Sequence, residues 1–146
     1  MINFNKYKLM SLSEVGEFER AKKGKIYKAG STLIQLSATR GYIKYLSRDG
    51  EVEMKYAVLT PDHKHNAYYI HTSIKKSFPE FFYREKTGMN LQFDTLRKMC
   101  IAIHDRETQD YIAQQAAMID DAISKEKRAI ELVKDIKKFF LEGMFV

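Results

Sequence analysis

Apolar and polar positions along this chain follow two regimes that meet near residue 104. Before that point the apolar runs are short and separated by turn residues, which predicts a mixed α and β domain with tight connections. Three runs read as strands. Thr32-Leu33-Ile34-Gln35-Leu36 lies between Gly30 and Gly41, and Tyr42-Ile43-Lys44-Tyr45-Leu46 alternates and ends at Arg48-Asp49-Gly50. Met54 to Leu59 forms the returning strand, stopped by Thr60-Pro61-Asp62. The Asp-Gly pair predicts a hairpin between the last two runs, because glycine accepts the positive φ that such a turn demands. Asn66 to Phe82 has helical spacing, with Tyr69, Ile74 and Phe78 on one face. Pro79 is expected to open another short helix, at an early position where its missing N–H costs little. Met99-Cys100-Ile101-Ala102-Ile103 predicts a buried strand, with Cys100 as a small buried hydrophobe. Upstream, Ser11 or Ser13 is placed to cap a short helical turn around Glu14.

The remainder is one long helical pattern. From Arg106 to about Glu142 there is no proline or glycine, and helix formers dominate. Asp105 is expected to cap the start, Glu107 and Asp110 suit the positive end of the dipole, and Lys134, Lys137 and Lys138 suit the negative end. Gly143 is a natural stop. Ile112, Ala116, Ile119, Ile123, Ile130, Val133, Phe140 and Met144 recur on alternating spacings of four and three, with Glu126 and Lys137 in the two gaps. A 3.5-residue period keeps one seam on one side of a helix over many turns, which is coiled-coil behaviour. The first seven of these residues are the expected dimer interface. The fold class is therefore α+β: residues 1–104 form a small mixed domain, and residues 105–146 form a long coiled-coil-forming helix.

Charge sharpens this division. The net charge of +6 hides a head of 18 basic and 10 acidic residues over 1–104, and a tail of 7 basic and 9 acidic over 105–146. A basic head on a near-neutral tail suggests that a polyanion meets the head and something else meets the tail. A single cysteine excludes an internal disulfide framework and fits a reducing compartment. No run approaches the roughly 20 apolar residues needed to span a bilayer, and the opening Met1 to Lys6 lacks the block of a signal peptide, so a cytoplasmic location without membrane contact is expected.

The helical segments Glu107-Thr108-Gln109-Asp110-Tyr111-Ile112-Ala113, Ile119-Asp120-Asp121-Ala122-Ile123 and Ile130 to Phe145 resemble the conserved helical region of type I restriction–modification specificity subunits. That region has the pattern E-Q-x-x-I-A, then D-x-x-I, then a closing K-K-x-x-L-x-x-M-F. Here His104-Asp105-Arg106 stands where the family has a proline-containing turn, and Thr108 separates Glu107 from Gln109. In the head, Gln35 to Ile43 resembles the family's loop–strand element, and Thr87-Gly88-Met89-Asn90-Leu91 its G-x-N-L turn. The resemblance implies a target recognition domain followed by one dimerisation helix, which is half of a complete subunit with two of each. It further implies a non-catalytic reader of double-stranded DNA that acts as a homodimer on two inverted half-sites. Its partners would be the modification methyltransferase subunit and, through it, the restriction subunit.

Candidate contact residues follow from chemistry. Lys22, Lys23 and Lys25, in a loop with Gly24, suit phosphates. Ser37, Thr39 and Arg40 precede Gly41, where arginine can grip guanine through two parallel hydrogen bonds and hydroxyls can reach several base edges. Tyr42, Lys44, Lys55 and Tyr56 lie on the adjoining strands, and Lys86, Thr87 and Asn90 flank Gly88 in a second polar turn. One rival is a metal-dependent nuclease built on the E-x-K of Glu53-Met54-Lys55, although the two side chains are better read as a surface ion pair. The other is a coiled-coil adaptor with no nucleic-acid role. His63 and His65 lack a third ligand for zinc, and no metal site is expected. Without a G-x-G-x-x-G or Walker pattern, no cofactor is expected either, and methylation and cleavage fall to the partner subunits.

Overall fold

The computed structural model describes residues 1–37, 42–88 and 90–144. It divides into two compact units, Met1–Ala113 and Gln114–Val146. In the first, β1 (Lys8–Ser11) leads into a one-turn helix α1 (Leu12–Val15), then β2 (Gly16–Arg20), β3 (Ile26–Tyr27), β4 (Thr32–Gln35), β5 (Ile43–Tyr45), β6 (Gly50–Glu51) and β7 (Tyr56–Pro61). Helix α2 (Ala67–Glu85), the short α3 (Phe93–Leu96) and β8 (Cys100–Ile103) follow, and α4 (Arg106–Met144) closes the chain.

The central sheet has the order β2-β7-β4-β5 and is antiparallel throughout. Both of its faces are covered. Ile34, Ala57 and Leu59 point into the main core, where α2 supplies Ile70, Ile74, Phe78 and Phe82. Leu33, Tyr56 and Val58 point the other way, into a smaller cluster with Ala21, Tyr27 and Val52. Burial on both sides explains why β4 and β7 read as continuous apolar runs instead of alternating ones. Helix α1 forms where expected: the Glu14 carboxylate accepts the backbone N–H and the hydroxyl of Ser11 at 2.7 and 2.8 Å. These bonds hold the Glu14 carboxyl below its ordinary range.

Four local expectations are corrected. No hairpin joins β5 to β7; they flank β4 on opposite sides, and Asp49-Gly50 instead leads into β6, which pairs with β3. The Asp49 carboxylate accepts the backbone N–H of Ala29 at 2.7 Å, so its turn chemistry serves a non-local contact. Pro79 lies inside one continuous helix and does not open a second. Cys100 is exposed, because β8 buries alternate residues: Ile101 and Ile103 face the core. Gly143 lies within α4, which ends at Met144.

Helix α4 starts as its sequence dictates, with the Asp105 carboxylate accepting the backbone N–H of Thr108 at 2.8 Å. Its 39 residues correspond to about 58 Å at 1.5 Å rise per residue. Thr108, Gln109 and Ala113 are buried in the first unit, and Ile112 packs against the same core. Within the second unit the apolar seam stays exposed: Ile119 is 60% and Val133 64% accessible, and Ile123, Ile130 and Phe140 are likewise open. Among the described residues no helix is long and apolar enough to cross a membrane.

Candidate nucleic-acid interface

Three segments distant in sequence meet at one end of the central sheet. The backbone N–H of Leu36 donates to the carbonyl of Lys55 at 3.1 Å, and the N–H of Leu91 donates to the carbonyl of Leu36 at 3.0 Å. Ser37, just past β4, therefore faces Asn90 across an antiparallel bridge. Thr87 and Asn90 exchange both backbone hydrogen bonds, at 2.9 and 3.2 Å, and close a turn in which Gly88 takes φ +63°. A residue with a Cβ adopts that conformation at a cost, so glycine belongs there. The result is a cleft of about 240 Å³ with Arg20, Ser37, Lys55, Asn90 and Gln92 around a floor of Leu36, Leu91 and Phe93.

The cleft unites three of the residues singled out from sequence: Ser37, Lys55 and Asn90. Lys44 and Lys55 adjoin one another through Tyr56, with each ammonium over the same ring at 5.6 and 5.4 Å from its centre. Tyr56 itself is 4% exposed and belongs to the smaller core cluster, so its part is to carry the two lysines. Tyr42 is exposed, and Lys86 lies over the Tyr83 ring at 4.9 Å. Thr39 and Arg40 lie outside the described residues.

The basic loop between β2 and β3 is partly neutralised. Lys22 and Lys25 both pair with Glu19, which also accepts the Tyr27 hydroxyl at 2.9 Å. Hydrogen bonds from Lys22 first, and then from Lys25, hold the Glu19 carboxyl down to about 2. Lys23 instead lines a shallow depression with Glu51 and Glu53. The Glu53 and Lys55 side chains pair with each other at 2.9 Å, and that hydrogen bond keeps the Glu53 carboxyl below its usual range. His63 is exposed while His65 is buried, so the two histidines share no face. Burial lowers the His65 pKa, and its Nδ1 lies 3.5 Å from the Gln109 amide nitrogen. Among the described residues no group of three or more His, Cys, Asp or Glu is placed to hold a metal ion.

Arg20 and Gln92 are cleft residues that sequence reasoning missed. A signal for Arg20 was available: counting by twos from the buried Phe18 along β2 places it on the same face. Phe18 stacks on Phe93 with ring centres 4.9 Å apart, and Arg20 continues that face into the cleft. Gln92 had no such signal, because α3 is a single turn whose position depends on the core beneath it.

No protein-family model matches this chain, and no curated protein does. Solved structures do match. The S subunit of a type I restriction–modification system from M. genitalium superposes with a TM-score of 0.73 at 12% identity, covering 90% of this chain and 44% of that one. A structure concerning complex assembly and conformational transition of the type I R-M system gives 0.68 at 16% identity, over 84% and 40% of the respective chains. The HsdS subunit from Thermoanaerobacter tengcongensis gives 0.61 at 14% identity, over 84% and 39%. The chain spans less than half the length of these neighbours. Its fold, a mixed α/β domain followed by one long helix, is that of a type I S subunit over somewhat less than half of such a subunit.

Proposed function

We propose that this chain is a non-catalytic DNA-recognition subunit of a type I restriction–modification system. It works as a homodimer on two identical inverted half-sites, and it docks the modification methyltransferase and, through that, the restriction subunit. The observation that carries this reading is the fold likeness to S subunits across 90% of the chain. The basic head adds electrostatic attraction for a polyanion. In the cleft, Ser37, Lys55 and Asn90, joined by Arg20 and Gln92, are the side-chain types that read base edges: arginine pairs with guanine, and asparagine or glutamine with adenine. Thr39 and Arg40, which follow Ser37 in the sequence, are side-chain types suited to base edges, and Lys22, Lys23, Lys25, Lys44 and Lys86 serve phosphates. The seam of Ile112, Ala116, Ile119, Ile123, Ile130, Val133 and Phe140, exposed from Ile119 onward, pairs with its copy, and twofold symmetry in the protein then imposes inverted repetition on the target.

Selection from a random duplex library tests this directly, using the purified chain with and without a type I methyltransferase subunit at low salt. The expected product is an inverted repeat with one fixed spacer. Enrichment of a single unrepeated site overturns the dimeric reading. Absence of DNA binding under both conditions overturns the recognition role and leaves a helical adaptor. Magnesium-dependent cutting by the chain alone overturns the non-catalytic assignment.

A further inference from the structure

A second basic surface lies outside the cleft. Between α2 and β8 runs a groove of about 390 Å³ whose walls include Lys76, Glu80, Phe81, Arg84, Lys98 and Cys100. It shares no lining residue with the cleft. We propose that this groove holds the sugar–phosphate backbone of the duplex that flanks the half-site, so that each chain grips DNA at two places. The inference rests on the DNA-recognition reading above.

Helical spacing sets the geometry. Lys76, Glu80 and Arg84 succeed one another at four-residue steps on one side of α2, and the row is about 12 Å long at 1.5 Å per residue. Each strand of duplex DNA carries one phosphate per about 3.4 Å of axis, so such a row spans about three phosphates of one backbone. Lys98, just ahead of β8, supplies a cation from the opposite wall. Neither Lys76 nor Lys98 enters an ion pair among the described residues, in contrast to Lys22, Lys25 and Lys55. Arg84 bonds Glu85 at 2.9 Å and lies over the Phe81 ring, which fixes its guanidinium at the groove wall. The fold does not need these cations, since α2 packs through its opposite, apolar face. Two lysines converging on one groove repel each other, and an anion between them removes that repulsion. Glu80 is the single acid on the walls and subtracts from the attraction without cancelling it.

Cys100 makes the test direct. It is the chain's one cysteine, it is exposed, and it lines this groove. With a selected half-site duplex extended by flanking base pairs, saturating DNA is expected to slow alkylation of Cys100 by iodoacetamide several-fold. A duplex trimmed to the half-site is expected to leave the rate unchanged. Replacing Lys76 and Lys98 by alanine removes two phosphate contacts, so the slope of log affinity against log salt falls by about 2 on the long duplex, at roughly 0.9 per phosphate. Glu80→Gln is expected to tighten binding to the same duplex. Long DNA that binds while Cys100 reacts at its free rate overturns the groove site and leaves the recognition reading intact. Protection with an unchanged salt slope also overturns it, because the groove is then covered without a phosphate contact. If neither duplex binds at low salt, with or without the methyltransferase, the recognition reading falls and the groove site falls with it.

Discussion

Gly16 opens β2 opposite Pro61, and a Cβ built on it would sit 2.1 Å from the Thr60 carbonyl oxygen. That atom is backbone in the neighbouring strand and cannot swing aside. Gly16→Ala therefore has to push β2 away from β7, and overpacking of this kind costs about 1–3 kcal/mol. A urea titration is expected to show a lower midpoint with an unchanged slope, and an unchanged midpoint contradicts the clash. Glu19 governs a second residue-scale effect. Its carboxyl titrates at about 2 in the folded chain, against 4.5 for a free glutamate, because Lys22, Lys25 and Tyr27 bond the ionised form. Its contribution to stability is complete above pH 4.5, declines as the pH falls through the window from 4.5 to 2, and is gone below it. For a small surface network the size is about 1 kcal/mol. Glu19→Gln is expected to flatten the stability–pH curve in that window, and a curve parallel to the parent's contradicts the assignment.

Elements follow rules that single residues do not. The helical period from Arg106 onward was legible because nothing interrupts it, and α4 covers Arg106–Met144. Pro79 misled because a proline weakens a helix by removing one donor and crowding the preceding turn, at about 3 kcal/mol in an interior position. Phe78, Phe81 and Phe82 are all buried on the same stretch of α2, and that burial outweighs the lost bond. The exposed seam of α4 carries its own prediction. Ile119 and Ile123 are accessible in the single chain, so replacing both by Asp costs the monomer fold little. In a paired seam the same charges are buried without partners, which is strongly unfavourable. The doubly substituted chain is expected to sediment as a folded monomer where the parent is a dimer. An unchanged sedimentation coefficient contradicts pairing through this seam.

At the scale of the whole molecule, pattern and packing divide the determination between them. The sequence determined, by itself, the strands β4, β5, β7 and β8, the helical stretches of α2 and α4, and where the basic head gives way to the long helix, but it left β1, β2, β3 and β6 unmarked. It also marked which side of that helix is apolar. Periodicity, capping and charge are local quantities and survive without knowledge of neighbours. Only the tertiary structure decided that β4 sits between β5 and β7, that Asp49 bonds the Ala29 backbone, and that Cys100 faces outward. It alone brought Arg20 and Gln92 beside Ser37, Lys55 and Asn90. The reason is that strand partners are selected by burial on both faces of a sheet at once. That choice is made by residues far apart in the chain, and no local period records it.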